Sequence, residues 1–292
     1  MGNVYPGYRG LADVAGVGQV RFADASITAK QEVKADDLIM GDWDHDAYVY
    51  GKIEVGGTIS GPVTETFVSG SGGGSLWEWG VQRVGDCGTL SEETVTLYYY
   101  CGGSDNNSRQ FTGMLVNSMN FSCSAGDVAN FSIDIMGKSA GAWSNQIPPH
   151  FTDAEKLITW DKVNVTIPGT LGPGASELQN VNYSNFDFTI GNNLEAVYSL
   201  AQANLFPFEI VPGLRTITGS LSVYNTPEAD GVDSWDDYLA GNISVVQFDI
   251  GGLLVDMKVQ FHRIEPASSV GPIISSVGFT GVGHQTGTAW EA

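Results

Sequence analysis

The run Asp42-Trp43-Asp44-His45-Asp46 sets carboxylates at every second position, a spacing at which oxygen ligands can converge on a hard cation. It lacks the sixth-position glycine and the twelfth-position glutamate of a calcium-binding EF loop, so a solvated acidic loop is the expectation. Asp36 and Asp37 precede it, and with Asp42, Trp43, Asp44 and Asp46 they are candidates for contact with a neighbouring subunit. Of His45, His150, His262 and His284, no two stand at metal-ligand spacing. No nucleophile elbow and no phosphate-binding loop occurs, and Gly16-Val17-Gly18 lacks the third glycine of a dinucleotide fingerprint. Carboxylate pairs are abundant among 33 acids, but no nucleophile–base constellation stands out. The seven Trp read as core or interface anchors. These residues predict no enzyme, no cofactor and no resident metal.

The elements that would position such groups read as strands. Thirty-eight Gly and eleven Pro punctuate short apolar runs, and 42% of residues are hydrophobic. A first hairpin is expected from Val20–Lys30 and Tyr48–Val55, and a second from Phe111–Cys123 and Val128–Met136 around Gly126. A third is expected from Val181–Ile190, a turn at Gly191-Asn192-Asn193, and Leu194–Leu200. The fourth spans Ile243–Ile250, Gly251-Gly252 and Leu253–His262. Two short helices are expected, one capped by Ser75 through Leu76, Trp77 and Trp79, the other over Ser234–Leu239 before Gly241. Gly141–Phe151, with Pro148-Pro149, reads as a link. The chain thus divides into an arm (1–19) and two β units (20–150 and 151–292).

Alternation assigns polar groups to one face of each hairpin. Phe131, Ile133 and Ile135 force Asp134 to the opposite face, and Phe186 and Phe188 do the same for Asp187. Asp249 lies between Phe248 and Ile250, and Asp256 and Lys258 alternate with Val255, Met257 and Val259.

Net charge is −20. Residues 1–158 carry 9 Lys+Arg against 19 Asp+Glu and residues 159–292 carry 4 against 14, so each half is −10. That leaves little with which to neutralise phosphates, and a tight nucleic-acid binder is excluded. No apolar run reaches membrane-spanning length, and Met1–Gly7 has neither the basic start nor the apolar stretch of a signal peptide. Cys87, Cys101 and Cys123 are odd in number and lack metal-type spacing, as expected of reduced thiols in a protein made in the cytosol.

Two echoes run through the chain. Val116-Asn117-Ser118-Met119-Asn120-Phe121 and Val181-Asn182-Tyr183-Ser184-Asn185-Phe186 share the pattern V-N-x-x-N-F at an offset of 65 residues. Thr58-Ile59-Ser60-Gly61 and Thr216-Ile217-Thr218-Gly219 recur at an offset of 158. A chain that repeats a unit often repeats an interface.

Phe111–Met119 leading into Val128–Gly137, and Phe208–Tyr224 with Arg215-Thr216-Ile217-Thr218-Gly219-Ser220-Leu221, resemble tailed-bacteriophage major tail tube proteins of the two-domain type over most of residues 20–263. The resemblance implies an all-β fold: two tandem β-sandwich units, plus short helices, whose long hairpins form an inner barrel on oligomerisation. It implies a structural protein of the virion tail, assembled in the host cytoplasm, whose rings stack into an acidic conduit for DNA ejection. Partners would be further copies of itself, other tail proteins and passing double-stranded DNA that is not held tightly, with no membrane. If six tube units make a ring, a chain with two needs three copies, a trimer with pseudo-sixfold symmetry. The alternative is six chains with the second unit outside. Asp134, Asp187, Asp249, Asp256 and Lys258 become candidates to face the lumen, and the Asp36–Asp46 loop to contact the next subunit or ring. A carbohydrate-binding or adhesin β-sandwich is the second reading, favoured by Trp, Tyr and Asn content.

Overall fold

The computed structural model describes residues 10–35, 48–65, 67, 76–81, 83–84, 89–99, 107–146, 156–167, 183–200, 205–225, 243–267, 273–282, 284–286 and 289–291. In the first half these form β1 (Gly10–Val14), β2 (Gly18–Arg21), β3 (Asp24–Ala25), β4 (Thr28–Ala35), β5 (Tyr48–Pro62), α1 (Leu76–Val81), β6 (Arg83–Val84), β7 (Thr89–Leu90), β8 (Glu93–Tyr99), β9 (Asn107–Ser124), β10 (Asn130–Gly137) and β11 (Ser139–Ser144). In the second half follow β12 (Val163–Thr166), β13 (Tyr183–Gly191), β14 (Glu195–Val197), β15 (Glu209–Val211), β16 (Thr216–Asn225), β17 (Ile243–Ile250), β18 (Leu253–Ala267), β19 (Ile273–Gly281), β20 (His284–Thr286) and β21 (Ala289–Glu291). The fold is all-β.

One antiparallel sheet runs β12-β17-β18-β19-β16-β13-β9-β10-β5-β3, so the two halves of the chain join edge to edge where β9 pairs with β13. The phenylalanines of its strands fall on one side of it. Phe121, Phe131, Phe186, Phe188, Phe248, Phe261 and Phe279 are buried there, and Phe121 stacks on Phe188 across the junction with ring centroids 5.3 Å apart. Burying each such ring contributes on the order of 1.5–3 kcal/mol. β1, β2 and β8 continue from the first part of β9 and send Val14, Val20, Val95 and Leu97 into the same core.

The helix over Leu76–Val81 forms despite Gly80, because the glycine is where it touches the sheet. A Cβ there would meet the Met119 methyl at 2.3 Å. The fourth hairpin forms as read, with Gly251 (φ 63°) and Gly252 (φ 99°) supplying the left-handed turn. The second forms with an additional residue, Asn117, bulged from β9.

Four expectations are corrected. Residues 10–19, read as part of an N-terminal arm, form β1 and the start of β2 and bury Ala12, Val14 and Val17 in the core. The third hairpin does not form: Asn193 (φ 50°) turns the chain, but β13 takes β16 and β9 as neighbours, while β14 pairs with β15. Side chains decide this, because Phe186 and Phe188 find their apolar partners on β9 and β16. In the first hairpin only Thr28–Ala35 pairs with Tyr48–Gly56, since the stretch from Val20 is broken into β2 and β3 before it. The link expected from Gly141 starts later, because Ser139–Ser144 is a strand along β9. Ser75 and the helix expected over Ser234–Leu239 lie outside the described residues.

Candidate functional site

Opposite the core, the sheet presents a second face built from the intervening residues of each strand. Ser60 on β5, Ser132 on β10, Asn120 and Ser122 on β9, and Asp187 and Thr189 on β13 share it. Thr218 and Ser220 on β16, Thr280 on β19, Gln260 on β18 and Gln247 on β17 continue it into the second half. Strand parity makes this inevitable: once the Phe row is buried, every neighbour of a Phe must point the other way. The result is a hydroxyl- and amide-rich surface crossing both halves of the molecule.

Asp134, Asp187, Asp249, Asp256 and Lys258 all lie on this face, each half-exposed. Asn117 Nδ2 donates to Asp134 Oδ2 at 2.7 Å, and Ser220 Oγ donates to Asp187 Oδ1 at 2.9 Å. Gln247 Nε2 donates to Asp256 Oδ1 at 2.7 Å. Asp249 has a structural duty, accepting the Gly252 backbone N–H at 2.8 Å and so closing the hairpin turn. The carboxylates are thus oriented by neutral donors. Among the described residues no group of three His, Cys, Asp or Glu is placed to hold a metal ion. The loop candidates Asp36, Asp37, Asp42, Trp43, Asp44 and Asp46 lie outside the described residues, as do Cys87 and Cys101. Cys123 is buried, and burial pushes its thiol above the ordinary range.

At one end the polar face is partly roofed. The β14–β15 hairpin packs Ile210 and Leu194 onto Leu115 and Met136, and Ile53 N–H donates to Leu205 O at 2.7 Å. Between roof and sheet lies a cleft of about 500 Å³ that includes Lys30, Lys52, Glu54, Asp134 and Tyr198 in its lining. Lys52 Nζ sits 2.6 Å from Glu54 Oε1. Hydrogen bonding between them raises the Lys52 pKa and lowers that of Glu54, so both stay charged, while burial raises that of Tyr198.

Sequence reasoning missed the node that holds the roof in place. Asn192, fully buried, donates to Gly80 O and Val116 O at 2.9 Å each, and its Oδ1 accepts from Arg215 Nε at 3.1 Å. Arg215 also donates to Val81 O at 2.6 Å. Asn117 Oδ1 accepts the Leu194 N–H at 2.9 Å. The signal for Asn117 was its place in the V-N-x-x-N-F echo, and for Asn192 a turn-like Gly-Asn-Asn whose amide turns out to face inward.

The family model described as phage tail tube protein matches residues 4–281. Among curated proteins no match is found.

Proposed function

The chain belongs to the phage tail tube protein family, and from that premise we propose that it forms rings of three chains stacked into a tube whose bore is lined by the polar sheet face. As a member of that family it is a structural component of the virion tail and assembles with itself and other tail components. The finer reading rests on one observation: a single polar face runs unbroken through both halves of one sheet. A half that merely decorated the outside of a six-chain ring would not continue the inner sheet of the other half.

From β3 to β18 the sheet path has eight strands. Three chains would supply about 24, and barrels of 16–18 strands already leave an aqueous channel. Closure removes the open strand edges that otherwise invite aggregation. Asp134, Asp187, Asp249 and Asp256 then line the bore with Lys258 among them, acids in excess. DNA carries a negative charge per ~1.7 Å of axis, so a basic bore would hold it fast, whereas this one repels it within a ~10 Å screening length. The acidic segment between β4 and β5, with Asp36, Asp37, Asp42, Trp43, Asp44 and Asp46, is assigned to contact with the adjoining subunit or ring. Assembly takes place in the host cytoplasm.

Negative-stain images of the purified protein, at high concentration with tail initiation components, test the reading. Rings and tubes are expected. A protein that stays monomeric under those conditions would contradict it.

A further inference from the structure

The two halves of the sheet are copies of one plan. In the first half the strand order β3-β5-β10-β9-β8 places the second strand against the last; in the second half β13-β16-β19-β18-β17 does the same. A hairpin excursion follows the first strand in both, β4 with the start of β5 in one and β14–β15 in the other. The side chains agree at single-residue level. Gly61 faces Phe131, which faces Phe121; Gly219 faces Phe279, which faces Phe261. The 158-residue echo therefore joins equivalent positions, whereas the 65-residue echo does not, since the counterpart of Phe121 is Phe261.

Within one chain the copies meet where Phe121 of β9 pairs with Phe188 of β13, and Phe188 faces Gly219. The first-half counterpart of Phe188 is Phe22. Asp24 is the register partner of Ser60, and the Ala23 N–H also bonds Ser60 O, so two residues oppose one and Phe22 falls opposite Gly61, packed on the core. Read across the sheet, the row is Phe22, Gly61, Phe131, Phe121, then Phe188, Gly219, Phe279, Phe261: one four-residue pattern twice. It starts at β3, whose described strand partner is β5, and it ends at β18. The outer edge of Arg263–Ala267 is paired by no described strand, although its inner edge is paired by β19.

We infer that the junction between chains repeats the junction within the chain: the β18 edge past Gln260 takes the β3 edge of a second copy, with Phe261 meeting Phe22 as Phe121 meets Phe188. This rests on the reading of the chain as a ring-forming tube subunit. The contact is head-to-tail, the type that closes into a ring rather than a pair. Residue 265 is the counterpart of Ser124, where the internal pairing stops, and Pro266 comes next, a residue tolerated only where no ladder hydrogen bond is needed. The two-residue β3 and the proline keep each edge short before assembly.

Cysteine pairs test the register. Ser122 and Asp187 are partners across the internal junction, and the corresponding pair between chains is Arg263 and Arg21. In assembled rings, Arg21→Cys/Arg263→Cys under mild oxidant shifts most chains from the single-chain band to two- and three-chain bands on a non-reducing gel. Each single variant, which controls for the native cysteines, does not. Ser122→Cys/Asp187→Cys closes a bond within one chain. Rings in micrographs, with the internal pair closed but the Arg21/Arg263 pair open, would overturn this junction and leave the tube reading standing. If neither the unmodified chain nor the variants form rings, the tube reading itself fails and the inference with it.

Discussion

Asn192 carries more of the structure than its exposed-looking sequence suggests. Its side chain supplies donors to two backbone carbonyls and an acceptor to Arg215 with no exposure to water. Asn192→Ala strands these groups, and since each buried unsatisfied polar atom costs about 1–3 kcal/mol, a loss of about 3 kcal/mol is expected in denaturant unfolding. Gly219 is constrained by packing, because a Cβ there would lie 2.3 Å from the Phe279 ring and 2.6 Å from Asp187 O. Gly219→Ala is expected to lower stability by about 1–3 kcal/mol in the same measurement, as overpacking does. The sequence offered Gly219 as a member of an echo and of the segment that carries the family resemblance, without saying why it must be small. That it must be small follows from Phe279 on a strand 60 positions later, information no local pattern holds.

At the scale of elements, legibility tracked locality. The β17–β18 hairpin was readable because its turn glycines and its alternation lie within a few residues of each other. The partner of β13 was not, because Gly191-Asn192-Asn193 has turn chemistry whether or not the returning strand is its neighbour. The parity of Asp134, Asp187, Asp249, Asp256 and Lys258 was legible, since alternation alone fixes it. That all five share one continuous face required the register of the whole sheet. Asp249 is set apart by its turn hydrogen bond, so charge reversal is best confined to Asp134, Asp187 and Asp256. Lys at these three positions is expected to permit tube assembly yet slow or stall DNA ejection, while Asn at the same positions gives a smaller effect. Salt should relieve the slowing, because attraction to phosphate weakens steeply with ionic strength. Unchanged ejection kinetics of the Lys particles at low and high salt would show that charge at these positions does not act on DNA.

In the molecule as a whole, one sheet spans both halves, and its two faces are chemically opposite. The core face is closed by α1 and by residues of β1, β2 and β8. The polar face is roofed only at the β14–β15 end among the described residues. In the tube proposed above, that face forms the wall of the bore. The most direct measurement is a side-chain-resolution image reconstruction of the assembled tube without imposed symmetry. The account predicts three chains per ring, the two halves alternating around it, with Asp187 and Ser220 facing the lumen and the Phe row facing away. Six identical chains per ring, or the Phe row on the luminal side, would contradict it.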